Sequence, residues 1–375
     1  MVKIIFIVSH LYPQGPNRQL LYLCSNLDKS IITPIIVTTS QNNFQGSLHE
    51  NFLDKGIEIY NLKLSKLNSI FKANKDIQKI IDSQNIDIIL SYGFRSDLIS
   101  HNLKRVIKLT SVRNTLIKNW KITRGPVFGS ILGNINLHFI RKFDYVIACS
   151  TSVSNYLKTL NLKSETIRNS IDVKAIRKNG FTPKSNPNNT KSFITISSKL
   201  KGKNIEFLLM SFTKPELSKY NLFIAGYVDL KVQQEFENYS NIHFLGHISN
   251  LNEYLFSCDF FISSSLHEGM PNAVLEALAL GTPVILSDIP PHKEILNQQD
   301  EIIGVIFKNN SFESLNKKLN HLLSLEYKNL SEKCTEAMHN SFSVVKMAEE
   351  YSNLFLSIKN QNYPKQIKCS KIKPY

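Results

Sequence analysis

Ser265-Leu266-His267-Glu268-Gly269-Met270-Pro271-Asn272-Ala273-Val274-Leu275-Glu276-Ala277 joins the end of an apolar run to the start of a helix, with a glutamate on each side of the junction. Just before it, Phe260-Phe261-Ile262 reads as a buried parallel strand ending in serines. Gly269 permits a sharp turn, and Pro271 suits the first position of a helix, where its missing N–H would have no partner anyway. The run from Ala273 to Leu280 is rich in helix formers. Gly281 is placed to stop it with a left-handed cap, and Pro283 follows. A glycine-containing turn from strand into helix is an anion site, because N–H groups and the helix dipole both point outward from it. The segment is built to hold phosphate.

The two glutamates need separate roles. Eight helical residues at a rise of 1.5 Å would separate them by ~12 Å. Paired carboxylates that flank a glycosidic bond in hydrolases stand only ~5–9.5 Å apart. Glu268 therefore belongs to the loop and faces a cleft, while Glu276 sits within the helix, in reach of the hydroxyls of a nucleotide ribose. The bland alternative makes Glu268 a helix cap and Glu276 a solvated surface residue.

In this block, EGMPNAVLEALALGTPVILSD, the spacing of a glutamate, seven residues and a second glutamate resembles the signature of the family-4 glycosyltransferases, a retaining group with the two-domain GT-B architecture. The resemblance extends to Asn241–Gly246, to Ser257–Ile262 and to Thr166–Asp172, where such proteins pass between domains. It implies two α/β Rossmann-like domains facing each other across a cleft, with the last helix returning to the first domain. The corresponding ranges are 1–168 for an acceptor-side domain, 169–342 for a nucleotide-sugar domain, and 343–375 for the returning helix with a basic tail.

The strand–helix alternation is that of α/β units. Strand candidates in the first half are Ile4–Val8, Ile35–Thr38, Ile57–Asn61, Ile86–Ser91, Ile107–Val112 and Tyr145–Ala148. Those in the second are Phe193–Ile196, Asn221–Ala225, Ile242–Phe244, Phe260–Ser263, Pro283–Leu286 and Gly304–Phe307. Lys178–Lys191, with its prolines, asparagines and serines, reads as a loop, and Ser343–Lys359 as a final helix. Ligands of such sheets bind beyond the carboxyl ends of the strands.

Composition narrows the rest. At 375 residues and 42% hydrophobic, the chain is long enough for two cored domains. Five scattered cysteines (Cys24, Cys149, Cys258, Cys334 and Cys369) show no zinc spacing and suit a reduced, cytoplasmic setting. Met1–Val8 reads as a first strand rather than a signal peptide, and no run approaches the ~20 apolar residues of a membrane span.

The net charge is +15 and uneven. Between Leu98 and Phe143 stand nine Lys or Arg residues and no acid, bordering the apolar run Gly125–Gly133. Lys359, Lys365, Lys368, Lys371 and Lys373 make the tail basic as well. Such surfaces are drawn to an anionic membrane leaflet, or hold a pyrophosphate-linked lipid. The alternative makes the lysines a solubilising face and Phe128–Leu132 core. No helix-turn-helix, zinc or aromatic-platform pattern accompanies the charge, so nucleic acid is not expected as a partner.

The resemblance assigns further residues. The turn Ser197–Asn204 usually carries an arginine and a lysine that grip the donor diphosphate; here the arginine is absent, and Lys199 and Lys203 stand in as point charges without the bidentate fork. The loop after the first strand usually approaches the donor phosphates through glycines, of which Gly15 matches. Arg113 replaces the histidine of many relatives, followed by Asn114; an arginine cannot act as a base but can bind a phosphate or carboxylate on the acceptor side, and a purely structural role is open too.

The implied chemistry is transfer of a sugar, with retention, from a nucleotide-diphosphate donor such as a UDP-sugar to a lipid-linked or oligosaccharide acceptor. The pathway implied is bacterial surface polysaccharide synthesis, at the inner face of the cytoplasmic membrane. Lys199, Lys203 and Glu268 are the catalytic candidates, and Gly15, Gly269, Met270, Pro271, Asn272, Leu275 and Glu276 the donor-binding ones. No Asp-x-Asp occurs, so neither a metal nor another cofactor is expected. The alternatives are a nucleotide-sugar epimerase and a non-catalytic scaffold of a glycan assembly complex at the membrane.

Overall fold

The computed structural model describes residues 1–40, 46–64, 69–177, 190–198, 201–299 and 301–360. Two compact units emerge: residues 1–169 with the helix Val344–Lys359, and residues 170–343.

The first unit is built on a seven-stranded parallel sheet: β1 (Val2–Val8), β2 (Ile32–Thr38), β3 (Glu58–Asn61), β4 (Ile88–Tyr92), β5 (Ile107–Val112), β6 (Tyr145–Ala148) and β7 (Glu165–Thr166), in the order 3-2-1-4-5-6-7. A parallel sheet covered on both faces needs strands that are apolar on both sides, and β1 meets that need. Ile4, Phe6 and Val8 join one core, while Ile5 and Ile7 join another with Ala73, Ile77 and Ile81. The first core is closed by the helix Val344–Lys359, whose Met347, Ala348, Tyr351, Leu354, Phe355 and Ile358 recur at helical spacing. Phe355 meets Phe6 edge-on, with ring centroids 6.4 Å apart. Lys359 at the helix end donates to Asp87 at 3.0 Å.

The second unit carries a six-stranded parallel sheet: β8 (Ser192–Ser197), β9 (Asn221–Gly226), β10 (Ile242–Gly246), β11 (Phe260–Ser263), β12 (Val284–Ser287) and β13 (Gly304–Phe307), in the order 10-9-8-11-12-13. Phe193 of β8 stacks on Phe260 of β11 at 5.4 Å, and both pack into a core with Phe212, Leu222 and Ile262. An aspartate placed just before a strand aligns its neighbour in both units. Asp87 accepts from the Lys3 N–H, Asp144 from the Lys108 N–H, and Asp259 from the Ser192 N–H and hydroxyl.

Every strand expected from the sequence is present, with ends shifted by at most three residues, and Glu165–Thr166 is an additional short one. The fold is therefore α/β with two Rossmann-like halves. Two readings need correction. Pro271 is the cap rather than the first helical residue, since its backbone is extended (φ −77°, ψ 103°) and the helix runs Asn272–Ala279. The alternative that makes Phe128–Leu132 core does not hold: Gly125 (φ 83°) separates two helices, and Phe128 and Ile131 point to solvent while Gly129 turns inward. The residues 178–189 of the expected boundary loop, Lys199, Cys369 and the four tail lysines beyond Lys359 lie outside the described residues.

Gly281 ends the helix Asn272–Ala279 as expected, in the left-handed region (φ 83°), and a Cβ there would fall 2.5 Å from Ser331 Oγ. Gly246 has a left-handed φ of 62° but open space around it. Gly281→Ala should lower stability by the ~1–2 kcal/mol of left-handed strain and slightly more than Gly246→Ala, because the Ser331 hydroxyl must rotate away and the Ser331 carbonyl oxygen lies 3.3 Å from the new Cβ. Paired urea or thermal unfolding curves of the two variants read the difference.

Candidate functional site: the serine-lined end of strand β11

In each sheet the strand order reverses at one place: between β1 and β4 in the first unit, and between β8 and β11 in the second. Loops leaving the carboxyl ends of two such strands diverge to opposite sides and open a crevice. In the second unit these loops carry the lysine turn after β8 and the glutamate block after β11.

The sequence makes them meet through hydroxyls and amides. Ser264 donates to the carbonyls of Lys203 and Asn204 at 3.0 and 2.8 Å. The Leu266 N–H donates to the Gly202 carbonyl at 2.8 Å. Asn204, held left-handed at φ 54°, returns its amide to the Ser264 carbonyl at 3.3 Å and to Asn310 Oδ1 at 2.9 Å. Asparagine tolerates that backbone region better than most residues. The one-turn 3-10 segment Lys201–Lys203 is thereby fastened to the end of β11.

The outcome is an ion pair. Lys203 Nζ lies 2.7 Å from Glu268 Oε1, with side-chain exposures of only 23% and 17%. Ser265 Oγ donates to the same oxygen at 2.9 Å. Burial pushes the Glu268 carboxyl up, but the Lys203 charge and hydrogen bond, with help from His292 and Ser265, outweigh it and leave the group below the ordinary carboxylate range. Glu268 is therefore anionic, and it holds a cation rather than capping the helix. Lys203 also lines a cleft of about 650 Å³ with Ser197, Tyr227, Val228 and Asp229. Gly226 (φ 100°) shapes that wall, since a Cβ there would fall 2.3 Å from the Ser197 carbonyl oxygen.

Beyond Glu268 the chain dips inward. Gly269, Met270 and Pro271 are buried, and Asn272 is half-buried at the helix start. Glu276 is 7% exposed, which excludes the reading of it as a solvated surface residue. Leu275 is fully buried and belongs to the core of the helix rather than to an open surface. Gly15, Arg113 and Asn114 lie in the first unit. Gly15 opens the helix Gly15–Asn26. Arg113 Nη2 donates to Asn169 Oδ1 at 2.5 Å, and its guanidinium lies over the Tyr92 ring at 5.7 Å. Arg113 thus has a structural engagement at the end of β5.

Three residues of the second-unit site escaped the sequence reading. Ser287, at the end of β12, donates to the Ser265 carbonyl at 2.6 Å. His292 is fully buried, and its Nδ1–H donates to the Ser287 carbonyl at 2.9 Å. Its Nε2 is buried without a hydrogen-bond partner. Burial above all brings this imidazole down to about 4; the Ser287 carbonyl and Glu268 oppose the shift and Lys203 adds to it. Ser265 itself was quoted as strand end, not as a Glu268 partner. The only available signal was a serine at two strand ends and a histidine after Pro290-Pro291, which any α/β protein can contain. Among the described residues no three His, Cys, Asp or Glu side chains gather as a metal-binding group.

The histidine gives a pH dependence with a definite sign. Its ordinary value is 6.5, so as pH falls through 6.5 the unfolded chain takes a proton that the folded chain refuses until about 4. Stability should fall across that window by up to about 1.4 kcal/mol per pH unit from this group. Glu268, held low, keeps its contribution down to its ordinary value of 4.5 and loses it progressively below that. Unfolding midpoints between pH 7 and 4 should therefore drop for the parent chain, with a shallower slope for His292→Gln.

Comparison with known proteins fits this geometry. Residues 178–340 match the family described as glycosyl transferases group 1. The capsular polysaccharide biosynthesis glycosyltransferase CapH of Staphylococcus aureus is 26% identical over 330 residues, covering 84% of this chain and 86% of that protein. An Escherichia coli protein named UDP-Gal:alpha-D-GlcNAc-diphosphoundecaprenol alpha-1,3-galactosyltransferase is 29% identical over 115 residues, covering 30% of this chain and 29% of its own. Among solved structures, sucrose-phosphate synthase from Thermosynechococcus elongatus superposes with a TM-score of 0.77 over 96% of this chain and 100% of its own, at 16% identity, a likeness of GT-B fold.

Proposed function

We propose, from the premise that residues 178–340 form a group 1 glycosyl transferase domain, that the chain transfers a sugar from a nucleotide diphosphate, such as UDP, to a lipid-linked or oligosaccharide acceptor. The pathway is synthesis of a bacterial surface polysaccharide, in line with the name of CapH, and a lipid-linked acceptor is in line with the name of the galactosyltransferase. The observation that carries the reading is the Lys203–Glu268 pair standing at the β8/β11 crevice beside the 650 Å³ cleft.

In this reading the nucleotide occupies the cleft lined by Tyr227 and Val228, and its diphosphate lies toward Lys203 and the start of the helix Asn272–Ala279. Negative charge grows on the diphosphate as the bond from the anomeric carbon breaks. A lysine and a helix N-terminus are preorganised to stabilise that charge. The acceptor hydroxyl attacks on the same face, forming the new C–O bond with retention, and its proton passes to the departing phosphate oxygen. Glu268 orients the sugar and sets the position of Lys203; Glu276 holds the ribose. Lys199 remains a second candidate cation. The proposal needs no metal and no cofactor, because lysine and backbone dipoles carry the charge and no Asp-x-Asp occurs. Acceptor-side roles fall to Arg113 and Asn114, and the enzyme works at the inner face of the cytoplasmic membrane.

The test begins with a thermal-shift screen of UDP-, GDP- and ADP-sugars, since a ligand bound only by the folded state raises the midpoint with its affinity. Transfer is then assayed with the best donor and a diphospho-polyisoprenyl glycan. Lys203→Ala should lower kcat by about 10²–10³-fold, the scale of losing one preorganised charge-stabilising donor. Glu276→Ala should act mainly on the donor KM. No midpoint shift with any nucleotide sugar, or full activity of Lys203→Ala, would overturn the proposal. Activity should also survive excess EDTA; complete loss rescued by a divalent cation would refute metal independence.

A further inference from the structure

The helices Leu116–Arg124 and Pro126–Ile140 of the first unit form a hairpin whose crossing is set by glycine. A Cβ at Gly129 would fall 2.3 Å from the Trp120 carbonyl oxygen, and one at Gly133 would fall 2.8 Å from Ile117 Cα. Only glycine allows backbones so close. That contact fixes the rotation of the second helix. Gly129, Gly133, Asn136, Leu137 and Ile140 turn inward and are buried.

The opposite side then has nowhere to hide. Val127, Phe128, Ile131 and Ile135 are 69%, 72%, 52% and 40% exposed. Their spacing places them on one stripe of the helix. A shallow groove of about 580 Å³, lined by Ile131, Ile135 and Phe139 with polar neighbours, continues that apolar surface. Scattered exposed apolar residues mean little, but four on one helix face mark an interaction surface.

The charge around the stripe identifies its partner. The Lys121 backbone packs against Gly129, one residue along the second helix from Phe128, and Arg124 closes the first helix just before the turn. Both are exposed, as are Arg141 and Lys142 just past the second helix. No acid occurs between Leu98 and Phe143. We infer that this hairpin is a membrane-docking element that seats its apolar stripe in a leaflet of anionic lipids while Lys121 and Arg124 meet the headgroups. A helix of 15 residues is about 22 Å long, too short to span the ~30 Å hydrocarbon core, so it lies in the interface. No helix among the described residues is long and apolar enough to cross. A second copy of the chain fits this face poorly, because a two-fold contact would set the same cations against each other. The inference rests on the surface itself and not on the transfer reaction.

The experiment uses the full chain and two vesicle types, pure phosphatidylcholine and phosphatidylcholine doped with phosphatidylglycerol. The parent should co-sediment with the doped vesicles and be released by salt, since exposed charges are screened. The double variant Phe128→Asp, Ile131→Asp should lose about tenfold or more in partitioning through loss of the apolar anchor. Lys121→Glu with Arg124→Glu should remove the preference for anionic vesicles. Thermal shifts with nucleotide sugars should be unchanged in both variants, which controls for folding and separates this test from that of donor binding. Equal binding to both vesicle types, unchanged partitioning of the aspartate variant, or a stripe-dependent dimer in sedimentation without vesicle binding would overturn the inference.

Discussion

A lysine ammonium and a carboxylate 2.7 Å apart, both largely out of water, tie the turn after β8 to the loop after β11 in the second unit. Neither charge is tolerable there alone. Removing one partner of such a buried pair typically costs about 3–5 kcal/mol, because the other is left uncompensated. The pair therefore depends on two loops from different strands meeting to within tenths of an ångström. The strand order provides the meeting, since β8 and β11 are neighbours at the place where the sheet changes direction. Hydroxyls provide the precision: Ser264 clamps the lysine turn, Ser265 takes a share of the carboxylate, and Ser287 ties the loop to β12.

This construction leaves unresolved polarity in place. His292 is buried, neutral and one-sidedly hydrogen-bonded, with its second nitrogen unsatisfied. A protonated imidazole would add a second cation beside Lys203 and weaken the claim of Lys203 on Glu268. Keeping the imidazole neutral leaves Lys203 with Glu268 as its partner.

In the first unit the same economy operates through glycine. The hairpin gains close backbone packing at Gly129 and Gly133 and thereby commits four large apolar side chains to the outside. The helix Val344–Lys359 does the reverse, burying its whole apolar stripe over β1 and closing the sheet. Two helices of nearly equal length in one unit thus have opposite fates, decided by what lies opposite each stripe.

The parallel sheets, the helix stop at Gly281 and the glutamate block were legible in the chain because each rests on local physics: apolar runs bounded by turns, a glycine where φ must be positive, a fixed spacing along one segment. Pairing was not. Lys203 and Glu268 are 65 positions apart, and Ser287 and His292 carry no local mark of their proximity to them; only the order of strands in the sheet brings them together. The charge around Gly125–Gly133 was visible in the sequence, but whether Phe128 faced core or solvent was not. That was decided when the glycines turned one helix face inward, because side-chain exposure is a property of the neighbours and not of the residue.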